Sequence, residues 1–293
     1  MNNKLYVFDR GNYSIGEYDL NGETLKYRRM DQGSDMFRWA SVFYTNNGIL
    51  MAKTLDAEEK KLGIEIYNFS FNKQFDRWIM SLEPGTVPKV ARNEKNEIFI
   101  AGKGSFYGKK SFLTMLNDKG HMINRWESET DLRILFPEDS HRNIKANTIK
   151  VTGFDQDGNI YLFNAMTSNK SRISKIKITT EGRGEVLKNY DGSFFAGPVS
   201  PLAKGETVAP LVYNNIFSGE IIDIKTGKNG FTYFLYKDTT RNLTRLGLFD
   251  PTGGFWKEFS FAGYGSVHGF NLDNQDNVWI TDDSGIKKLA TYK

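Results

Sequence analysis

Along this chain a short turn ending in Asn or Gly is followed, time after time, by a triplet of apolar, aromatic and apolar residues. Asn3 leads into Leu5-Tyr6-Val7, Asn96 into Ile98-Phe99-Ile100, Gly158-Asn159 into Ile160-Tyr161-Leu162, and Asn277 into Val278-Trp279-Ile280. Looser copies are Asn47-Gly48 with Ile49-Leu50-Met51, and Asn229-Gly230 with Phe231-Thr232-Tyr233-Phe234. A second landmark follows each triplet, a turn of Asp-x-x-Gly or Asn-Gly type: Asp19 to Gly22, Asn117 to Gly120, Thr179 to Gly182 and Asp250 to Gly253. Ile98 to Asn117, Ile160 to Thr179 and Phe231 to Asp250 are each 19 positions apart, so the two landmarks keep register.

Short alternating segments lie between the landmarks, such as Ser14 to Tyr18, Phe112 to Leu116 and Leu246 to Phe249. That alternation is the mark of half-buried strands. No stretch has a helical period. A unit of roughly 45–50 residues with four strands is what radial repetition into a β-propeller needs. The expectation is an all-β chain, a six-bladed β-propeller of four-stranded antiparallel blades forming one domain over residues 1–293. Trp39, Trp78, Trp126, Trp256 and Trp279 fall mostly in expected strands and read as blade core.

Composition narrows the chemistry. The 39 Lys and Arg against 35 Asp and Glu leave a net charge of +4, too small for the strong field that dedicated nucleic-acid binding requires. The absence of cysteine excludes disulfides, thiolate nucleophiles and cysteine-bearing metal sites. No run of 18 apolar residues is present to span a membrane as a helix, and no signal peptide is visible. The chain also lacks a Gly-x-Ser-x-Gly elbow, a phosphate loop and a His-Glu-x-x-His pair.

The repeats resemble those of the NHL-type propellers and their relatives, virginiamycin B lyase and the regucalcin/gluconolactonase group. The best copies are Val267 to Asp282, containing His268-Gly269 and Asn277-Val278-Trp279-Ile280, and Val151 to Asn164. The resemblance implies a ligand face around a central channel. The lyase pattern would use His268 and a Glu, but Asp282 stands at the Glu position and no second channel histidine is found. The gluconolactonase group uses a divalent cation held by carboxylates and Asn. Asp9, Asn164, Asp282 and Asp283 are the candidate ligands, with an ion such as calcium as the cofactor they would suit. That group's Glu in the first blade is not recognisable.

Three consecutive second-to-third-strand loops are basic. Lys103, Lys109 and Lys110 flank Phe106-Tyr107, and Lys170 with Arg172, then Lys237, Arg241 and Arg245, continue the arc. An aromatic pair among cations suits stacking on a sugar or contact with an anionic protein. The expected function is a non-catalytic scaffold binding a protein or carbohydrate through Lys103, Phe106, Tyr107, Lys109, Lys110, Lys237, Arg241 and His268. The competing expectation is a metal-dependent, lactonase-like hydrolase or a lyase.

Counting strands outward from the triplets gives about 22 rather than the 24 of six full blades. Three-stranded end blades, a chain extending before Met1, or a strand supplied by Gly197 to Asn215 would each account for this. The lack of cysteine leads to the expectation of a bacterial, extracytoplasmic protein, secreted, periplasmic or surface-anchored.

Overall fold

The computed structural model describes residues 4–9, 14–19, 21–29, 37–45, 48–55, 61–81, 88–103, 111–144, 149–165, 171–179, 181–191, 193–196, 212–215, 220–238, 243–261 and 266–289. The protein is an all-β, six-bladed β-propeller whose blades are antiparallel sheets of three or four strands. Its chain divides into two compact units, one comprising Met1–Leu132 with Phe154–Asn159, the other Arg133–Gly153 with Ile160–Lys293.

The first unit carries three sheets. Blade 1 is β1 (Leu5–Asp9), β2 (Ser14–Tyr18) and β3 (Thr24–Arg29). Blade 2 is β4 (Phe37–Thr45), β5 (Gly48–Leu55), β6 (Lys61–Tyr67) and β7 (Lys73–Ser81). Blade 3 is β8 (Lys89–Arg92), β9 (Ile98–Lys103), β10 (Ser111–Leu116) and β11 (Met122–Trp126). Blade 4, in the second unit but for Phe154, is β12 (Lys150–Phe154), β13 (Ile160–Ala165), β14 (Ser171–Ile178) and β15 (Gly184–Asp191). A separate hairpin, β16 (Ser193–Ala196) with β17 (Val212–Asn215), follows it. Blade 5 is β18 (Glu220–Thr226), β19 (Thr232–Asp238), β20 (Leu243–Phe249) and β21 (Phe255–Ser260), and blade 6 is β22 (Gly269–Leu272), β23 (Val278–Asp282) and β24 (Gly285–Lys288). The first and last blades are therefore three-stranded, which accounts for the strand count.

At Asn96, Asn159, Asn229 and Asn277 the first landmark has the same structure as the second. Among the described residues nine five-residue turns share the same backbone bonds: the first N–H donates to the fifth carbonyl, and the fourth N–H to the first carbonyl. In seven of them the first residue, Asp19, Asn68, Asn93, Asn117, Asp155, Asp250 or Asp273, also accepts the third and fifth N–H groups on its side-chain oxygen. Asx side chains mimic a backbone turn in this way. The fourth residue always has positive φ, where glycine carries no steric penalty, yet it is Phe71, Asn96 or Asp276 in three turns. These turns end the first and third strands of blades 2 to 6 where they are described, and the second strand of blade 1, so the repeat is written in them.

Triplet residues point alternately to the two faces of each sheet. In the second unit Tyr161, Tyr190, Phe234, Tyr236 and Phe249 form a buried aromatic cluster between blades 4 and 5, with Tyr190 set edge-on to Phe234 at 5.2 Å. Tyr233, Leu235, Phe270 and Ile280 fill the space between blades 5 and 6. In the first unit Ile15, Ile49, Met51, Tyr67 and Phe71 do the same for blades 1 and 2.

Two expectations are corrected. A short helix, α1 (Glu129–Arg133), and a 3₁₀ turn at Glu138–Asn143 follow blade 3. Ser128 receives the Asp131 N–H on its hydroxyl at 3.1 Å, and Asp131 receives the Glu127 N–H at 3.0 Å, a local cap that periodicity over a longer window misses. Of the tryptophans, Trp126 is core although it ends the outermost strand of blade 3, whereas Trp78 and Trp256, also on outermost strands, are 42% and 65% exposed. The Trp39 side chain lies outside the described residues.

Candidate functional site

Blade 6 brings together the densest set of sequence-selected residues. Thr281 and Gly269 are paired across β22 and β23, and the His268 N–H donates to the Thr281 carbonyl at 2.9 Å. That bond sets His268 beside the turn joining β23 to β24, in which Asp282 is paired with Gly285. Gly285 has a φ of 125°, a conformation that a side chain would strain.

The neighbours Asp282 and Asp283 diverge there. Asp282 is buried: one carboxylate oxygen accepts the Ser284 N–H at 2.9 Å and hydroxyl at 2.7 Å, the other the Lys287 ammonium at 2.6 Å. The Lys287 and Ser284 bonds hold its carboxyl well below the usual range. Asp283 is exposed. Its Oδ1 lies 2.7 Å from His268 Nε2, and its Oδ2 accepts the Ser266 N–H at 2.9 Å. Those bonds, His268 first, lower its pKa as well. The His268 and Asp283 side chains are each 60% exposed, so the pair presents a fixed imidazole and carboxylate to solvent.

Asn164 stands apart from them, at the end of β13 in blade 4. It is buried, donates to Ser174 Oγ at 3.3 Å, and Ser174 donates on to Asn189 at 2.7 Å. The Asn164 carbonyl oxygen has no hydrogen-bond partner. Asp9 is the exposed last residue of β1, paired in register with Ser14, and belongs to the other unit.

A hard divalent ion asks for convergent, unoccupied oxygens. Asp282 and Asp283 instead spend both oxygens on protein donors, one of them a cation, so these two as arranged do not fit a calcium site. Among the described residues no group of three His, Asp or Glu side chains converges.

Of the residues expected in basic loops, Arg172, Lys237 and Arg245 are described, and all three stand on strands instead: Arg172 on β14 opposite Asn164, Arg245 on β20 paired with Glu258, and Lys237 exposed on β19 in register with Glu220 and Thr244. Lys103 ends β9 opposite Ser111, with its side chain outside the described residues. Phe106, Tyr107, Lys109, Lys110 and Arg241 lie outside them altogether.

Sequence reasoning passed over two buried charge networks. In blade 2 Lys53 Nζ lies 2.6 Å from both Glu65 and Asp76, and Lys73 is 3.2 Å from each of those carboxylates. Tyr67 donates to Glu65, and the Lys53 ammonium sits 4.9 Å from the Trp78 ring centroid. Gly63 makes room, since a Cβ there would fall 2.7 Å from Lys53 Cε. In blade 5 Glu258 accepts from both Tyr236 and Arg245. The available signal was a lysine closing the apolar run Ile49 to Ala52 and a glutamate inside Gly63-Ile64-Glu65-Ile66-Tyr67.

No family model matches the chain, and no curated protein matches it in sequence. Solved structures share the fold. An X-ray structure of a protein provisionally named a gluconolactonase has a TM-score of 0.50 at 8% identity, covering 97% of this chain and 87% of that one. The WD40 domain of Neurospora crassa Pan2 has a TM-score of 0.46 at 9% identity, covering 98% and 85%. A protein of unknown function from Dyadobacter fermentans has a TM-score of 0.46 at 12% identity, covering 86% and 78%. At such identities the likeness is one of fold. No helix among the described residues is long and apolar enough to cross a membrane.

Proposed function

We propose that residues 1–293 form a single NHL-like propeller domain that acts as a non-catalytic binding scaffold. Its ligand is a protein or carbohydrate, with His268, Lys237 and Arg241 the candidate contacts of the second unit and Lys103, Phe106, Tyr107, Lys109 and Lys110 those of the first. The reading includes a bacterial, extracytoplasmic setting. One observation supports it above the others: both oxygens of Asp282 and of Asp283 are engaged by Lys287, Ser284, His268 and Ser266, while the His268–Asp283 pair stands at an open surface. A pair pinned in that way offers one donor–acceptor geometry to a ligand at little entropic cost. Acid–base chemistry would need a reacting partner beside the imidazole.

Thermal unfolding in EDTA, then with Ca²⁺, Mn²⁺, Zn²⁺ and Mg²⁺ in turn, tests the reading, because a ligand bound by the native state raises the midpoint by mass action. The expected result is no shift with any ion, together with binding to a panel of anionic and neutral oligosaccharides or peptides that weakens in His268→Ala. A shift with one ion that disappears in Asp282→Ala and Asn164→Ala would put the metal-dependent hydrolase or lyase in its place.

A further inference from the structure

Blades 2 and 3 of the first unit leave a cleft of about 250 Å³ between their outer strands. Arg77 and Trp78 of β7 line one side, and Thr114 of β10 with His121, Met122 and Arg125 the other. The Asn117–His121 turn makes the charged end. Arg77 donates from Nη1 to the Lys119 carbonyl at 3.3 Å and has no carboxylate partner among the described residues. Gly120 makes room for the neighbouring Phe75 ring, since a Cβ there would fall 2.5 Å from Phe75 Cζ. The neighbouring Asp76 offers no neutralisation, since it sits on the opposite face of β7 against Lys53. Arg125 is bridged to Glu127 at 2.6 Å. Thr114 is fully buried, and its hydroxyl has no hydrogen-bond partner.

The rest of the cleft is apolar and open. Beside the two arginines its wall carries Met122, 60% exposed, and the half-buried Ile79, the next residue but one after Arg77. β7 and β11 each end their sheets, leaving one edge of main-chain groups unpaired within the blade. The cleft volume holds one side chain rather than a drug-sized molecule.

We propose that this cleft docks an extended segment of a partner protein that carries an acidic residue next to an apolar one. The acidic side chain meets the Arg77 fork and the His121 imidazole, the arrangement that guanidinium groups use to grip carboxylates. The apolar neighbour lies on Met122 and Ile79, and the segment's main chain runs along a free strand edge. This surface is separate from the His268 face and does not rest on it.

The test is selection of a random heptapeptide display library on the immobilised full chain, followed by calorimetry with the synthesised winners. The expected winners pair Asp or Glu with Leu, Ile, Val or Phe. Their Kd rises at least tenfold in Arg77→Gln and in Met122→Ser, and is unchanged in Trp256→Ala on blade 5. Changing the peptide's acidic residue to its amide gives the same loss with the protein unaltered, which keeps the result readable should a variant fold poorly. The proposal is overturned by no enrichment, by winners lacking an acidic residue, or by binding that survives both cleft substitutions. It is equally overturned if 3-methylbutyrate alone binds as tightly as the peptide, which would make the cleft a site for a free small carboxylate.

Discussion

Asp276 occupies the space that a side chain on Gly227 would need: a Cβ at Gly227 would lie 2.9 Å from the Asp276 carboxylate carbon. From there the carboxylate accepts the Lys228 N–H at 2.9 Å and the Asn229 N–H at 3.0 Å. A turn of blade 6 thus clasps the corresponding turn of blade 5, whose first residue has no side chain of its own. Asp276→Ala should cost about 1–2 kcal/mol in urea unfolding, two hydrogen bonds to a charged group at a partly exposed site. Gly227→Ala should cost at least as much, by forcing the two turns apart.

The blade 2 network is held to a stricter rule, because Lys53 and Glu65 have side chains only 6% and 3% exposed. Glu65→Gln leaves a buried ammonium with the single carboxylate of Asp76, and a loss of about 3–5 kcal/mol is expected. Lys53→Met combined with Glu65→Gln should recover much of that loss, as a double-mutant cycle by denaturant unfolding will show.

Phe71 combines a φ of 61° with full burial, and Arg28 donates to its carbonyl while Lys26 lies over its ring. Truncation to Ala should cost about 3–5 kcal/mol for the lost packing. At ordinary positions glycine is the less stable of the pair Gly and Ala. Here the order should reverse, with Phe71→Gly more stable than Phe71→Ala by up to about 1–2 kcal/mol, the left-handed penalty that only glycine escapes.

Burial and the Glu17 carboxylate push the Tyr6 phenol up to about 12, and burial with the Glu65 bond raises Tyr67 further. A tyrosine that holds its proton longer folded than unfolded contributes stability that is complete below the unfolded pKa of 10 and is lost as pH rises through the folded value. Unfolding free energy should therefore fall from about pH 10 upward. Tyr6→Phe should flatten the early part of that fall. Asp282 and Asp283 have the opposite sign: both are depressed, so their contribution is present above the ordinary carboxylate range and lost as pH falls through the folded values. Lys287→Met should lower stability at neutral pH and make the acid limb shallower, because less of the Asp282 depression is left to lose as pH falls.

The architecture was legible because its period is carried by turns whose chemistry is local. Asp155-Gln156-Asp157-Gly158-Asn159 announces its own hydrogen bonds. The copy at Asn68-Phe69-Ser70-Phe71-Asn72 went unseen because phenylalanine stands where glycine is usual, and packing against Tyr6 outweighs the backbone preference. The candidate site was legible in part. His268 stood out as the histidine before a strand, but its bond to Asp283 depends on how β22 and β23 align. Asp282 looked like a free carboxylate in sequence, and Lys287 reaches it only because the turn folds β24 back. The charge networks were hidden for the same reason, since pairs such as Lys53 and Asp76 meet only across three strands.

The five-residue turns have a consequence for how this chain can change. Each closes on its own first residue, so an added residue would break several bonds at once and the length there is held constant. The connections from second to third strand obey no such rule: they run from the pair Asp283-Ser284 in blade 6 to the seven positions 104–110 in blade 3. A lineage of such proteins would keep one end of every blade spelled nearly the same way while rewriting the other, and new binding partners would be acquired at the end where the spelling is loose.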